Sequence, residues 1–357
     1  MKIIVLWLLV GFLCLGGPVH AELGQQYELV LLPPRSGDAN SCAMGINNKS
    51  EIVGWSGVSL IGGPAMPVYW GPNADPAKNF VPIDIGNLGG NIGSAQGIND
   101  GSYVVGRSRN SFDQYRAFLW DPVSGQKTDL GDLGGISKTS LAFAINIHGM
   151  AVGKSIASTV GYTYNACLFE LNKAPVNLST PNTDDSSALG INDSGIVVGQ
   201  CNLQGVIWEN GVMKVLTVLA SHGIANQVNN SGEVTGYVRV LSSDPFRGFI
   251  WDKFKGSRYI DLWGATGTFC QAINNKTQVV GYAEPMGAFI WEESKGAVDL
   301  NSRLTASTDW QLYYATGIND KGEIVGFAMQ GNAIRAFLLR PKKGAWLPAV
   351  LLDLLTE

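Results

Sequence analysis

Gly190-Ile191-Asn192-Asp193-Ser194-Gly195-Ile196-Val197-Val198-Gly199 is the stretch whose reading decides the fold. Asn192 at the first position of a type I turn bonds its own backbone, and Gly195 takes the left-handed position. The apolar residues on either side then read as two short strands of a hairpin with a bulge. The element recurs seven times, with Asn47, Asn99, Asn146, Asn192, Asn229, Asn274 and Asn319 at its heart. Each copy ends in Gly: Gly54, Gly106, Gly153, Gly199, Gly236, Gly281 and Gly326. Successive Asn positions differ by 52, 47, 46, 37, 45 and 45 residues. Glycine is expected in the left-handed place in five copies, Gly101 among them, with Ser50 and Thr277 as departures.

A second element follows each hairpin. Ala117-Phe118-Leu119-Trp120 is its cleanest form and Pro67-Val68-Tyr69-Trp70 its loosest. Trp70, Trp120, Trp208, Trp251 and Trp291 recur at its end, where packing between units accounts for them. A third element ends in Asp-Leu or similar, as at Asp84-Ile85, Asp129-Leu130, Asp261-Leu262 and Asp299-Leu300. Each unit therefore holds four strands, apolar on both sides of the pleat, which implies sheets covered on both faces. Four-stranded units of ~45 residues, sandwiched between copies of themselves, describe a seven-bladed β-propeller. Tyr27 to Leu32 precedes the first hairpin and is placed to complete the last blade beside Phe337, closing the ring. Residues 344–355 compete for that place or form a short helix.

Composition agrees with a packed all-β chain. Among 357 residues, 45 are Gly and only 15% are charged, which excludes a disordered protein. Lys plus Arg is 25 against 29 Asp plus Glu, so no basic surplus exists to bind nucleic acid. Residues 1–21 read as a signal peptide: Lys2, an apolar run from Ile3 to Leu15, then Val19-His20-Ala21. Residues 22–357 then form a single exported domain without a transmembrane segment, in the periplasm, at the cell surface or secreted. Of the four remaining cysteines, Cys167 and Cys201 on adjacent units are the pair to bridge if their Cα atoms lie within ~7 Å. Buried thiols are the other reading of all four.

The hairpin element, Ala-Phe-Leu-Trp and Asp129-Leu130-Gly131-Asp132-Leu133-Gly134-Gly135 together resemble the HAF repeat family of extracellular repeat proteins. The resemblance spans nearly the whole chain after residue 21 and implies an exported repeat protein, with no activity to transfer. The histidine that names the family is replaced in every copy, by Met66, Arg116, Asn165, Gln204, Arg247, Gly287 and Arg335.

No nucleophile elbow, paired metal histidines or phosphate loop is present, and neither a catalytic set nor a cofactor is expected. His148 and His222 both read as turn residues without a catalytic partner. Turn chemistry accounts for the asparagines without a metal. The residue after each repeat glycine is different: Trp55, Arg107, Lys154, Gln200, Tyr237, Tyr282 and Phe327 share one position but no chemistry. Equivalent positions in a ring lie at one radius, so these seven would line an annulus suited to recognition. The function expected is a binding or scaffold module for a saccharide or cell-envelope polymer, or for a protein partner. The alternative is a polysaccharide hydrolase or lyase using loop carboxylates among Asp75, Asp113, Asp184, Asp185, Asp244 and Asp309.

Overall fold

The computed structural model describes residues 25–58, 64–73, 79–159, 161–179, 185–217 and 220–342. The signal-peptide segment and residues 344–355 lie outside the described residues, as do Asp75 and Asp184. The chain is all-β and of propeller type: five four-stranded antiparallel sheets and one eight-stranded sheet. The eight-stranded sheet divides into two four-stranded units joined only by a parallel bridge, Ala65↔Ile92. Unit 3 is representative, with strands Ser140–Ile145, Ala151–Ile156, Tyr164–Phe169 and Val176–Asn177. The fourth strand is the shortest, because its Asp-Leu element holds few residues before a turn.

Units 1 to 6 follow the order of the sequence. The seventh takes Gln311–Ile318, Ile324–Gln330 and Ala333–Lys342 from the end of the chain. Its fourth strand is Gln26–Leu32 from the beginning, paired antiparallel from Gln26↔Lys342 to Leu32↔Ala336. Leu31 stands opposite Phe337. That pairing gives the last sheet seven partners drawn from the other end of the sequence and covers its outer edge.

Side chains alternate across each strand, so each unit contributes to two apolar layers. Ala166 packs with Val152, Ala188 and Trp208 on one side of unit 3, while Cys167 packs with Val105, Ala117 and Ala142 on the other. Trp70, Trp120 and Trp208 are buried in such layers, and the indole N–H groups of Trp70 and Trp208 donate to Pro33 and Leu178 carbonyls. This alternation overturns the expected bridge. Cys201 belongs to the layer between units 3 and 4, Cys167 to the layer between units 2 and 3, and no disulfide joins them. Burial pushes the thiols of Cys42 and Cys270 up to about 12, far from thiolate chemistry.

The repeat glycine now has a physical cause. Every first strand carries a bulge just before its hairpin, as between Ala188 and Gly190. The bulge drives a first-strand carbonyl against the second strand. A Cβ on Gly199 would lie 2.0 Å from the Ser187 carbonyl oxygen, and one on Gly54 would lie 1.9 Å from that of Cys42. Only glycine fits there.

Candidate functional site

The two halves of the second strands have opposite characters. At the hairpin end, each repeat Asn is spent twice. Asn192 Oδ1 accepts from the Ser194 and Ile196 amides at 3.1 and 2.9 Å, fixing its own turn. Its Nδ2 donates to the Asn229 carbonyl of the next unit at 3.0 Å. The same inter-unit bond runs from Asn47 to Asn99 at 2.9 Å, Asn99 to Asn146 at 2.8 Å and Asn146 to Asn192 at 3.2 Å. It continues from Asn229 to Asn274 at 3.1 Å, from Asn274 to Asn319 at 2.9 Å, and from Asn319 back to Asn47 at 3.0 Å. All seven are buried.

A second belt lies outside the first. The amide of the residue after each Asn donates to the side chain of its counterpart in the next unit, as Asn275 does to Asp320 at 2.8 Å and Asp320 to Asn48 at 2.8 Å. The belt breaks where Ile147 offers no acceptor to Asp100. A cavity of about 190 Å³ is framed by these residues. Because Asp100, Asp193 and Asp320 already accept amide donors, the cavity is a seam of structural bonds.

The left-handed turn position corrects the sequence expectation. Gly101 does not occupy it; Ser102 does, with φ 69°, alongside Ser50 at 65° and Thr277 at 61°. Glycine holds the place in the other four copies, at Gly149, Gly195, Gly232 and Gly322. The hydroxyls explain the difference. Ser102 donates to Glu51 at 2.7 Å, Thr277 to Glu233 at 2.7 Å and Ser50 to Glu323 at 2.6 Å, each glutamate belonging to the preceding unit. Where the preceding unit has Tyr103, Met150, Ile196 or Gln278 at that place, the turn carries glycine instead. The Met150 methyl, for example, lies 3.6 Å from where a Cβ on Gly195 would be. A carboxylate anchor thus permits the strained residue that bonds to it.

The other half of the second strands holds Trp55, Arg107, Lys154, Gln200, Tyr237, Tyr282 and Phe327, every one of them half-buried. Each pairs with a first-strand residue five positions before the repeat Asn: Tyr282 with Phe269, Phe327 with Tyr314, Arg107 with Ser94. Three of the seven meet in one aromatic wall. Tyr237 contacts Phe269 edge-on at 5.1 Å between centroids, and Phe269 stacks on Tyr282 at 4.6 Å. Tyr282 contacts Tyr314 at 3.8 Å, and Tyr314 stacks on Phe327 at 4.9 Å. Burial, then the facing Tyr314 hydroxyl, holds the Tyr282 hydroxyl above the ordinary tyrosine range; Tyr237 is raised chiefly by burial too. Phe246, Phe269, Tyr313 and Tyr314 join the wall from outside the seven varied positions. The signal for two of them was the aromatic at the fifth place before Asn274 and Asn319.

Arg107 and Lys154, on units 2 and 3, are not part of that wall. Arg107 lies 5.5 Å from the Tyr115 ring centroid, and the Lys154 ammonium 4.2 Å from that of Tyr164. Burial holds Lys154 below the ordinary lysine range; Asp185 opposes this and the Arg107 charge adds to it.

Three of the loop carboxylates among the described residues have separate surroundings. Asp113 pairs with Arg109 at 2.7 Å and Asp244 caps its own turn through the Leu241 amide. Asp309 lines a cavity of about 420 Å³ with Trp310 and Asn301, in the connection between units 6 and 7. His222 opens a strand rather than a turn, its Nδ1 facing Arg239 at 3.3 Å, whereas His148 stands in its hairpin. Among the described residues no group of three or more His, Cys, Asp and Glu side chains is placed to hold a metal. No helix among them is long and apolar enough to cross a membrane.

Comparison with known proteins adds the fold alone. No family model matches the chain, and no curated protein matches it. Among solved structures, a puromycin-hydrolyzing peptidase of Mycobacterium tuberculosis is similar over 91% of this chain and 57% of its own, at TM-score 0.53 and 11% identity. The acylaminoacyl peptidase of Pyrococcus horikoshii is similar over 91% of this chain and 56% of its own, at TM-score 0.51 and 8% identity. This chain therefore spans little more than half the length of either peptidase.

Proposed function

We propose that the protein is an exported, seven-bladed propeller of the HAF repeat type, closed by its N-terminal strand, that binds a saccharide or cell-envelope polymer. The single observation that supports this reading is the contrast within each second strand. A position whose neighbours repeat seven times carries large, varied, half-buried side chains, and those of units 5 to 7 join into a wall of rings and tyrosine hydroxyls. Aromatic faces stack on the apolar face of a sugar ring, and the hydroxyls offer donors and acceptors at its edge. The described contacts of Asp113 and Asp244, to Arg109 and to the Leu241 amide, give no comparable support to a hydrolase or lyase. The test is binding of the purified chain to an array of glycans and envelope polysaccharides, with product analysis of each hit. Saturable binding without turnover is the expected outcome. Released product would replace the reading with an enzymatic one, and silence across the array would remove the saccharide.

A further inference from the structure

The second strands of units 2 and 3, Val104–Asn110 and Ala151–Ile156, place two cations at the same repeat position on neighbouring sheets. Among the described residues, neither Arg107 nor Lys154 has a carboxylate within ion-pair distance or a hydrogen-bond acceptor. Two cations close by in the sequence are tied down by contrast. Arg116 bridges Asp129 at 2.9 Å and reaches Asp132, while Arg109, two residues from Arg107, is held by Asp113 at 2.7 Å. Arg107 and Lys154 are instead half-buried, each resting on a tyrosine ring, and close enough for the arginine charge to disfavour the ammonium. Asp185 draws on Lys154 electrostatically without pairing with it. Holding two like charges together, partly out of water and without hydrogen bonds, opposes folding. A ligand carboxylate between them would relieve that cost with charge-assisted bonds, one of them able to be bidentate from the guanidinium.

We infer that Arg107 and Lys154 form an anion subsite, and that the polymer bound by this face is an acidic saccharide carrying carboxylates. The inference rests on the saccharide reading above and narrows it: the tyrosine and phenylalanine wall of units 5 to 7 takes sugar rings, and the two cations take the carboxylate. Ionic contacts at a half-exposed site weaken with salt, so the preference for acid falls as ionic strength rises.

The experiment measures binding of the full chain to polygalacturonate, to the same polymer with its carboxyls reduced to alcohols, and to poly-glutamate. The R107Q/K154Q variant is compared in parallel. Gln200 already occupies the equivalent place in unit 4, so glutamine is tolerated there, and unchanged thermal unfolding confirms the variant's fold. The expected result is about tenfold tighter binding of the acidic polymer than of its reduced form, with the difference abolished in the variant and residual binding retained. Equal affinity for both polymers overturns the anion subsite and leaves the saccharide reading standing. So does undiminished acid preference in the variant. Binding to poly-glutamate alone, lost in the variant, keeps the anion subsite and overturns the saccharide. Binding to none of the three overturns both.

Discussion

The hairpin end and the opposite half of the second strands are built from the same seven copies, yet they differ in whether their polar groups are satisfied. At the hairpin end, each asparagine spends its side chain on its own turn and on the next unit, and the bonds return to Asn47. Eight residues past each asparagine, chemistry varies from unit to unit, and among the described residues Arg107 and Lys154 have no ion-pair or hydrogen-bond partner. A position that repeats and is saturated reports on folding; one that varies and is unsaturated is where the proposed recognition is placed. The contrast can be broken from either side.

The largest effect is expected from the close approach of the first two strands. Gly199→Ala forces a methyl against the Ser187 carbonyl and is expected to cost about 3 kcal/mol, read as a large fall in Tm. Next comes the belt itself. Asn192→Ala strands the Ser194 and Ile196 amides and takes from the Asn229 carbonyl one of its two donors, the Gly232 amide remaining, and a loss of about 2 kcal/mol in denaturant unfolding is expected. A smaller effect tests the carboxylate anchor. A double-mutant cycle on Glu51→Ala and Ser102→Gly is expected to return a coupling of about 1 kcal/mol. Gly195→Ser, placed beside Met150 with no acceptor, is expected only to destabilise.

On the varied side, stability is expected to change little and binding to change most. Tyr282→Ala is expected to weaken a bound saccharide severalfold, as isothermal titration would read, while Gln200→Ala leaves unfolding within about 0.5 kcal/mol. A pH profile separates the two cations. Because the folded Lys154 loses its proton below the ordinary lysine range, affinity for an acidic polymer should fall on alkalisation before an exposed lysine would lose charge. Lys154→Arg should remove that early fall.

The repeat made much of this legible. Four strands per unit, the asparagine turn and the place of Tyr27 to Leu32 beside Phe337 all follow from spacing and turn chemistry, which are local. What was not legible depends on neighbouring units. The donation from one asparagine to the next unit's carbonyl has no trace in a single copy. The same holds for Ser102, whose left-handed backbone depends on Glu51 in the previous unit, whereas Gly101 looked the better candidate by residue type alone. Cys167 and Cys201 fail to meet for a simpler reason: strand alternation sends them into different layers, and sequence proximity of units does not reveal which face a residue takes. Of the candidate site, the seven varied positions were legible as a pattern, but the wall joins only Tyr237, Tyr282 and Phe327 of them and takes Phe269 and Tyr314 from the first strands.

Hydrogen exchange with and without polygalacturonate tests the division between the two ends most directly. The account predicts slowed exchange in the halves of the second strands that carry Arg107, Lys154, Tyr237 and Tyr282, with the asparagine hairpins unchanged. Protection confined to the hairpins around Asn99, Asn146 and Asn274, or absent everywhere, would contradict it.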